Sequence, residues 1–368
     1  MKKILTNISL PVLVISPFFI ISCVKKINIV VNEPWREYSK FDFFDNIEKK
    51  YNEILNSNVK FNISFRGENN DLAHEIIKGS NDIGSVTTTL YYRNRQFLDP
   101  IIQTKTYSFT FDKQFDVFYK DGSNNDPLVS LAKKAEIIFN QKKFVEWDDQ
   151  EYGWDGIKYN YFYDNELVDY YRGNVLIWGN DNELKSIKEA WNKKDWNTFR
   201  NFGILHGKET SSSKYILQEL LFRKHFTNSN NKFTSFIKDK EKNSNKYKQG
   251  SARDLSKGEN SNYHIVFDEL GSYAYTHNTK KNKKLNYFET LNPNNKIEFL
   301  IVTEPIKYNV FAVSKYMKEF EKSALSNAIF ENWKNKKDDY GPHVGFNGYK
   351  IIANKEEEVI KPYERLFK

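Results

Sequence analysis

The sequence predicts an α/β protein of two lobes with a ligand cleft between them. Strand and helix patterns alternate from Ile27 to Val86, and they resume at Val175 after a stretch of different character. The two regions are joined by extended crossings near 106 and 306. With 368 residues the chain is long enough for two domains. Clefts between domains are the default place for a ligand.

In chain order, residues 27–31 are a strand ending at Glu33-Pro34-Trp35. Phe41, Phe44, Ile47, Tyr51, Ile54 and Leu55 recur at helical spacing. Val59, Phe61, Ile63 and Phe65 alternate as a strand does. Asn70-Asp71 caps a short helix that Gly79 ends. Residues 82–86 are a third strand, followed by Thr87-Thr88-Thr89 and another helix start. This order gives a parallel sheet with helices on both faces. Ligands bind outside the C-terminal strand ends of such sheets, which brings Trp35, Arg66 and the three threonines, Thr88 among them, close together.

Residues 128–139 read as a helix. The acidic, aromatic stretch 147–156 lacks the oxygen spacing of an EF-hand and reads as a solvated insertion. Strand 175–178 and a helix marked by Leu184, Ile187, Ala190 and Trp191 come next. Residues 228–260, rich in Lys, Asn and Ser, read as a mobile surface segment. Residues 263–267 are a strand ending at Asp268-Glu269, and the lysine-rich 280–284 is a solvated loop. Strands at 297–303 and 308–313 precede a long helix carrying Phe320, Leu325, Ala328, Ile329 and Trp333.

The stretch 201–215 organises this pattern as a short apolar strand, a polar turn and a helix from Ser212 to about His225. Ser211, Ser212 and Ser213 fall where the first turn begins. The unpaired N–H groups and partial positive charge of a helix start, with serine hydroxyls added, suit an anion such as phosphate. A serine that merely caps the helix is the competing reading. Gly203 to Lys208 is not a phosphate loop of nucleotide hydrolases, because only three residues separate the glycines and Glu209 follows the lysine.

The net charge of +8 comes with no basic stripe interleaved with aromatics, so nucleic acid is not an expected partner. The six histidines show no metal-ligand spacing, and no nucleophile elbow is present. At the N-terminus, Lys2 and Lys3 precede an apolar stretch that ends Ile20-Ile21-Ser22-Cys23. That is the layout of a secretory signal with a lipobox-like end. It predicts a signal peptide over 1–22 and a lipid on Cys23, the chain's single cysteine, tethering the protein to the outer face of the cell membrane.

The run DWNTFRNFGILHGK at 195–208, followed by SSSK at 211–214, resembles the mycoplasmal extracytoplasmic thiamine-binding lipoproteins. Those are substrate-binding components of a high-affinity ABC transport system. Tyr171-Arg172-Gly173, Gly179-Asn180-Asp181, Gly271-Ser272, Thr276-His277-Asn278 and Asp339-Tyr340-Gly341-Pro342 extend the match over nearly the whole mature chain. More distantly, the serine-rich helix start and Thr303-Glu304-Pro305-Ile306 are similar to the ligand loop and hinge of phosphonate-binding proteins. The resemblance implies a type II periplasmic-binding-protein fold. One lobe would be built from residues 24–106 and 306–368, and the other from 107–305 with an insertion near 112–165.

It also implies thiamine or thiamine diphosphate as ligand, with or without a divalent cation, no cofactor, an ABC permease as partner, and a monomeric state. Ser211, Ser212 and Ser213 would then hold phosphate oxygens. Asp268 or Glu269 would balance the thiazolium charge or accept from the aminopyrimidine, and Glu33 has a similar claim. Trp35, Tyr215 and Tyr273 would stack on the rings. Two other readings stand beside transport: an enzyme making a thiamine precursor on the same fold, with His206 as its one suggestive group, and a surface adhesin.

Overall fold

The computed structural model describes residues 25–35, 40–67, 71–228, 232–278 and 287–368. The expected signal peptide, Cys23, Asn70 and the 280–284 loop lie outside the described residues.

The chain begins β1 (Lys26–Asn32), α1 (Asp42–Leu55), β2 (Lys60–Arg66), α2 (Leu72–Ile77), β3 (Ile83–Val86), α3 (Thr88–Arg93) and β4 (Leu98–Phe109). Local chemistry sets these boundaries. Phe43, Phe44, Ile47 and Tyr51 bury one face of α1, and Asn56 ends it in the left-handed conformation at φ 45°. The Asp71 carboxylate caps α2 by accepting from the His74 N–H, and the Thr87 hydroxyl caps α3 by accepting from the Leu90 N–H.

The middle of the chain adds α4 (Pro127–Phe139), β5 (Tyr163–Val168), β6 (Tyr170–Tyr171), β7 (Gly173–Gly179), α5 (Asp181–Asn192), α6 (Trp196–Asn201) and β8 (Ile204–His206). It continues with α7 (Leu217–His225), α8 (Phe236–Asn243), β9 (Tyr247–Gln249), β10 (Ile265–Glu269) and β11 (Lys296–Val302). The last part holds β12 (Ile306–Lys307), β13 (Val310–Ser314), α9 (Glu319–Lys334), β14 (Gly348–Ile351) and α10 (Lys361–Glu364).

Two sheets result. One has the order β14-β4-β13-β3-β1-β2, with β5 also paired to β4; the other has the order β11-β7-β10-β8-β9. In the first, β1 runs parallel to β2 and β3, as the sequence pattern predicts, while β13 runs antiparallel to β3 and β4. In the second, β8 runs parallel to β9 and β10. Each sheet has its own buried core, giving a two-lobed α/β fold. The short antiparallel pair β6–β12 lies where the chain crosses between the lobes.

The crossings are held by Arg172, which is fully buried. Its Nε donates to Asp112 Oδ2 at 2.9 Å, its Nη1 to the carbonyls of Val117 and Thr303, and its Nη2 to that of Gln114. One guanidinium thus joins the outgoing chain, the β6–β7 crossing and the returning chain.

Two expectations are overturned. The stretch 147–156 is not a solvated insertion: Trp147 and Tyr152 are buried with Tyr159 and Phe162 in the core of the second lobe, against Phe139. Its acids face outward and its rings face inward, with no regular period to reveal the division. Residues 228–260 likewise contain α8 and β9, anchored by Phe233, Phe236, Tyr247 and Leu255. Single buried apolar residues among many lysines and asparagines are enough to fix residues 232–260. Trp147→Ala is therefore expected to destabilise the protein by about 3–5 kcal/mol, the usual cost of deleting a buried indole. Urea unfolding checks this, and a change below about 1 kcal/mol would restore the solvated reading.

Candidate functional site

Between the lobes lies a cleft of about 1180 Å³. The first lobe contributes Asn32, Glu33, Trp35, Arg66 and Thr87, all at or just past the C-terminal ends of β1, β2 and β3. The second contributes the loop after β8, through Lys214, and the turn after β10, through Tyr275. Ser108, Tyr171 and Tyr308 enter from the crossings. The position follows from topology, since strand C-termini of both sheets face the gap.

The serine loop departs from the expected α-helix start. Residues Ser212–Ile216 form one turn of π-helix, which leads into α7. Ser211 makes no side-chain capping bond. The Ser212 hydroxyl lies 2.8 Å from the Thr89 hydroxyl of the opposite lobe, and the Ser213 hydroxyl donates to Glu269 Oε2 at 3.1 Å. Simple capping therefore does not account for the three serines. The loop packs so closely on β7 that a Cβ on Gly173 would meet the Ser213 carbonyl oxygen at 2.3 Å, which reserves that position for glycine. Lys208 and Lys214 flank the loop in the cleft wall.

Glu269 shares the cleft wall with four tyrosines. Tyr163, Tyr171, Tyr275 and Tyr308 all line the cleft. Their hydroxyls are pushed well above the ordinary range, first by burial and then by the charge of Glu269. Across the cleft, Trp35 stacks on Tyr275 with ring centroids 5.9 Å apart and planes at 30°. A carboxylate among aromatic faces suits an organic cation, which it can neutralise while the rings supply cation–π attraction.

The expected site residues separate into two sets. Glu33, Trp35, Ser211, Ser212, Ser213, Asp268 and Glu269 line the cleft, with Glu33 at its exposed rim. Tyr215, Tyr273 and Thr88 do not line it. Tyr215 is buried edge-on between His206 and Phe236, and Tyr273 is stacked on Phe288 at 3.9 Å. Thr88 donates its hydroxyl to the Tyr308 carbonyl at 2.6 Å. The expected stacking by Tyr215 and Tyr273 is thus corrected: both rings are spent on the core of the second lobe. The turn after β10 carries Tyr273 inward and Tyr275 toward the gap, which a count from the strand end does not reveal. Tyr163, Tyr171 and Tyr308 were missed because they sit on crossing segments, where no helical or strand period marks a cleft face.

Of the two adjacent carboxylates, Asp268 is a brace. It is buried, its Oδ2 accepts from the Ala252 N–H at 2.9 Å, its Oδ1 accepts from the Glu269 N–H at 2.8 Å, and Lys214 Nζ lies 3.5 Å from Oδ1. Asp268→Asn is expected to lower stability by about 1–3 kcal/mol, because an amide nitrogen cannot accept the N–H it would meet. Thermal unfolding checks this, and an unchanged melting temperature would remove the bracing role.

His206 does not line the cleft. It is buried against Tyr215, with Nδ1 2.6 Å from the Gly207 carbonyl, and burial lowers its pKa to about 4. His225 is also lowered to about 4 by burial; its Nε2 lies 2.8 Å from the Trp191 carbonyl and its Nδ1 2.8 Å from the Tyr119 hydroxyl. Both are neutral in the native state and take a proton more readily when unfolded. Their contribution is complete above the unfolded value of about 6.5 and is lost as pH falls toward about 4. Chemical unfolding at pH 7 and pH 4.5 should show a loss of at least about 2 kcal/mol. A flat profile over that window would contradict the buried neutral assignment.

Comparison with known proteins gives a consistent picture. The family model described as extracytoplasmic thiamine-binding lipoprotein matches residues 36–367. The high affinity transport system protein p37 of Mesomycoplasma hyorhinis is 39% identical over 370 residues, covering 94% of this chain and 89% of that protein. The solved structure of Mycoplasma hyorhinis Mh-p37, described as a proposed thiamine pyrophosphate transporter, has a TM-score of 0.84 at 37% identity and covers 94% of this chain and 99% of that one. XAC2383 of Xanthomonas citri shares the fold at a TM-score of 0.51 and 8% identity, covering 93% of this chain and 98% of that one.

Proposed function

Because the chain belongs to the extracytoplasmic thiamine-binding lipoprotein family, we propose that it is the membrane-tethered solute-binding protein of an ABC importer, taking thiamine or thiamine diphosphate into the interlobe cleft. The observation that carries this reading is Glu269 among Tyr163, Tyr171, Tyr275 and Tyr308. The thiazolium of thiamine is a flat organic cation, and this arrangement supplies both a counter-charge and aromatic faces. Trp35 keeps its expected stacking role, and Tyr275 takes the place of Tyr215 and Tyr273 beside it.

The serine loop is the phosphate end. Ser213 already donates to Glu269 and Ser212 is engaged with Thr89. The principal donors to phosphate are then the N–H groups at the helix start, the Ser211 hydroxyl, Lys208 and Lys214. Cys23 carries the lipid, which holds the protein on the extracellular face, where it acts as a monomer. Hinge motion at the Arg172 crossings opens and closes the lobes, and the ligand passes to the permease unchanged.

The test is calorimetric titration of protein unfolded and refolded to strip carried-over ligand, using thiamine, its monophosphate and its diphosphate. Submicromolar binding of at least one form, recovered intact, is expected. Glu269→Gln should weaken thiamine and its diphosphate alike by at least about tenfold, or about 1.4 kcal/mol. Lys208→Met combined with Ser211→Ala should weaken the diphosphate more than thiamine. Equal losses from that pair would remove the phosphate assignment, and no binding of any thiamine form would overturn the ligand.

A further inference from the structure

The end of the first lobe that faces away from the cleft carries an aromatic and basic patch at the root of the chain. Tyr316 is 86% exposed, Phe320 55% and Phe97 41%. They sit at the same end of the first sheet: the Lys315 N–H donates to the Phe97 carbonyl at 2.9 Å, and Phe320 lies in the first turn of α9. Lys318 Nζ lies 5.7 Å from the Phe320 ring centroid. Lys26, Lys315 and Lys318 make no ion pair among the described residues. The nearby acids are already matched, with Glu321 paired to Lys25, Glu319 to Lys322, and Asp99 to Lys322 and Lys355.

The start of the chain meets the same end. Lys25 joins Glu321, next to Phe320, and Asp82 links the start of β1 to Ser314. Cys23 precedes Lys25 by two residues, a span of at most about 7 Å. The cleft lies at the other end of β1, about 20 Å away for seven residues of strand.

We propose that this patch is a membrane-docking face, on which the protein rests against an anionic lipid surface when tethered through Cys23. The occupant is a lipid bilayer because Lys25, two residues after the proposed anchor, pairs with Glu321 next to the patch, and because exposed aromatic rings flanked by unmatched lysines suit the headgroup region. Docking in this pose leaves the cleft open to solvent. The inference rests on the lipid anchor of the proposed function and not on the identity of the ligand, so a failed ligand titration leaves it untouched.

The experiment places the full acylated chain in vesicles of brominated phosphatidylcholine with phosphatidylglycerol and reads tryptophan fluorescence. Tyr316→Trp and, separately, Phe320→Trp serve as reporters. Ile137→Trp, 67% exposed on the second lobe, is the control. Quenching is expected for both patch reporters and not for the control. Adding Lys315→Glu and Lys318→Glu should reduce the docked fraction several-fold, since each basic residue near an anionic surface contributes about fivefold. Absence of quenching at both patch positions, or equal quenching at Ile137→Trp, overturns the docking face.

Discussion

The fold depends on a charge placed where the lobes meet. Burying a guanidinium is costly unless every donor is used and a carboxylate lies beside it. Arg172 has the carboxylate of Asp112, and Asp112 with the carbonyls of Gln114, Val117 and Thr303 takes four of its five N–H donors. Those partners belong to segments far apart in sequence, so the bonds fix the chain crossings in one arrangement. Gly173, the next residue, carries the consequence into the cleft, because its missing side chain is what admits the Ser213 carbonyl. The interlobe crossing and the serine loop are therefore set by two consecutive residues.

The cleft has two different ends. At one, Glu269 and its tyrosines offer negative charge in aromatic surroundings; at the other, a helix start with lysines offers positive charge and N–H donors. A ligand that carries a cationic ring and an anionic tail matches both. The Ser213 hydroxyl, bonded to Glu269, joins the two ends. Trp35 on Tyr275, and Thr89 against Ser212, reach from lobe to lobe. These contacts hold the lobes together across the cleft.

Buried bonds and rings in and behind the cleft wall keep it stiff. Asp268 gives both oxygens to the backbone of its own lobe. Tyr215 and Tyr273 pack beneath the serine loop and the β10 turn, filling space behind the residues that face the gap. The serine loop and the β10 turn are thus each backed by a buried ring or carboxylate that restricts them.

The sequence by itself determined the long periodic elements, the cap at Asp71, the helix start after Thr87, the parallel start of the first sheet and the position of the serine loop. These are legible because the signals are local, in a helical period, a capping side chain or a strand end. It did not determine which way a side chain turns where no period exists. Trp147 and Tyr152 look like part of a polar loop until the core that receives them is known. Tyr273, the expected stacking residue, and Tyr275 are two residues apart, yet the first fills the core and the second meets Trp35. The four tyrosines around Glu269 come from β5, β6, the β10 turn and the residue after β12. Only tertiary structure could bring them together, because their proximity is made by the crossings that Arg172 holds and by no spacing along the chain.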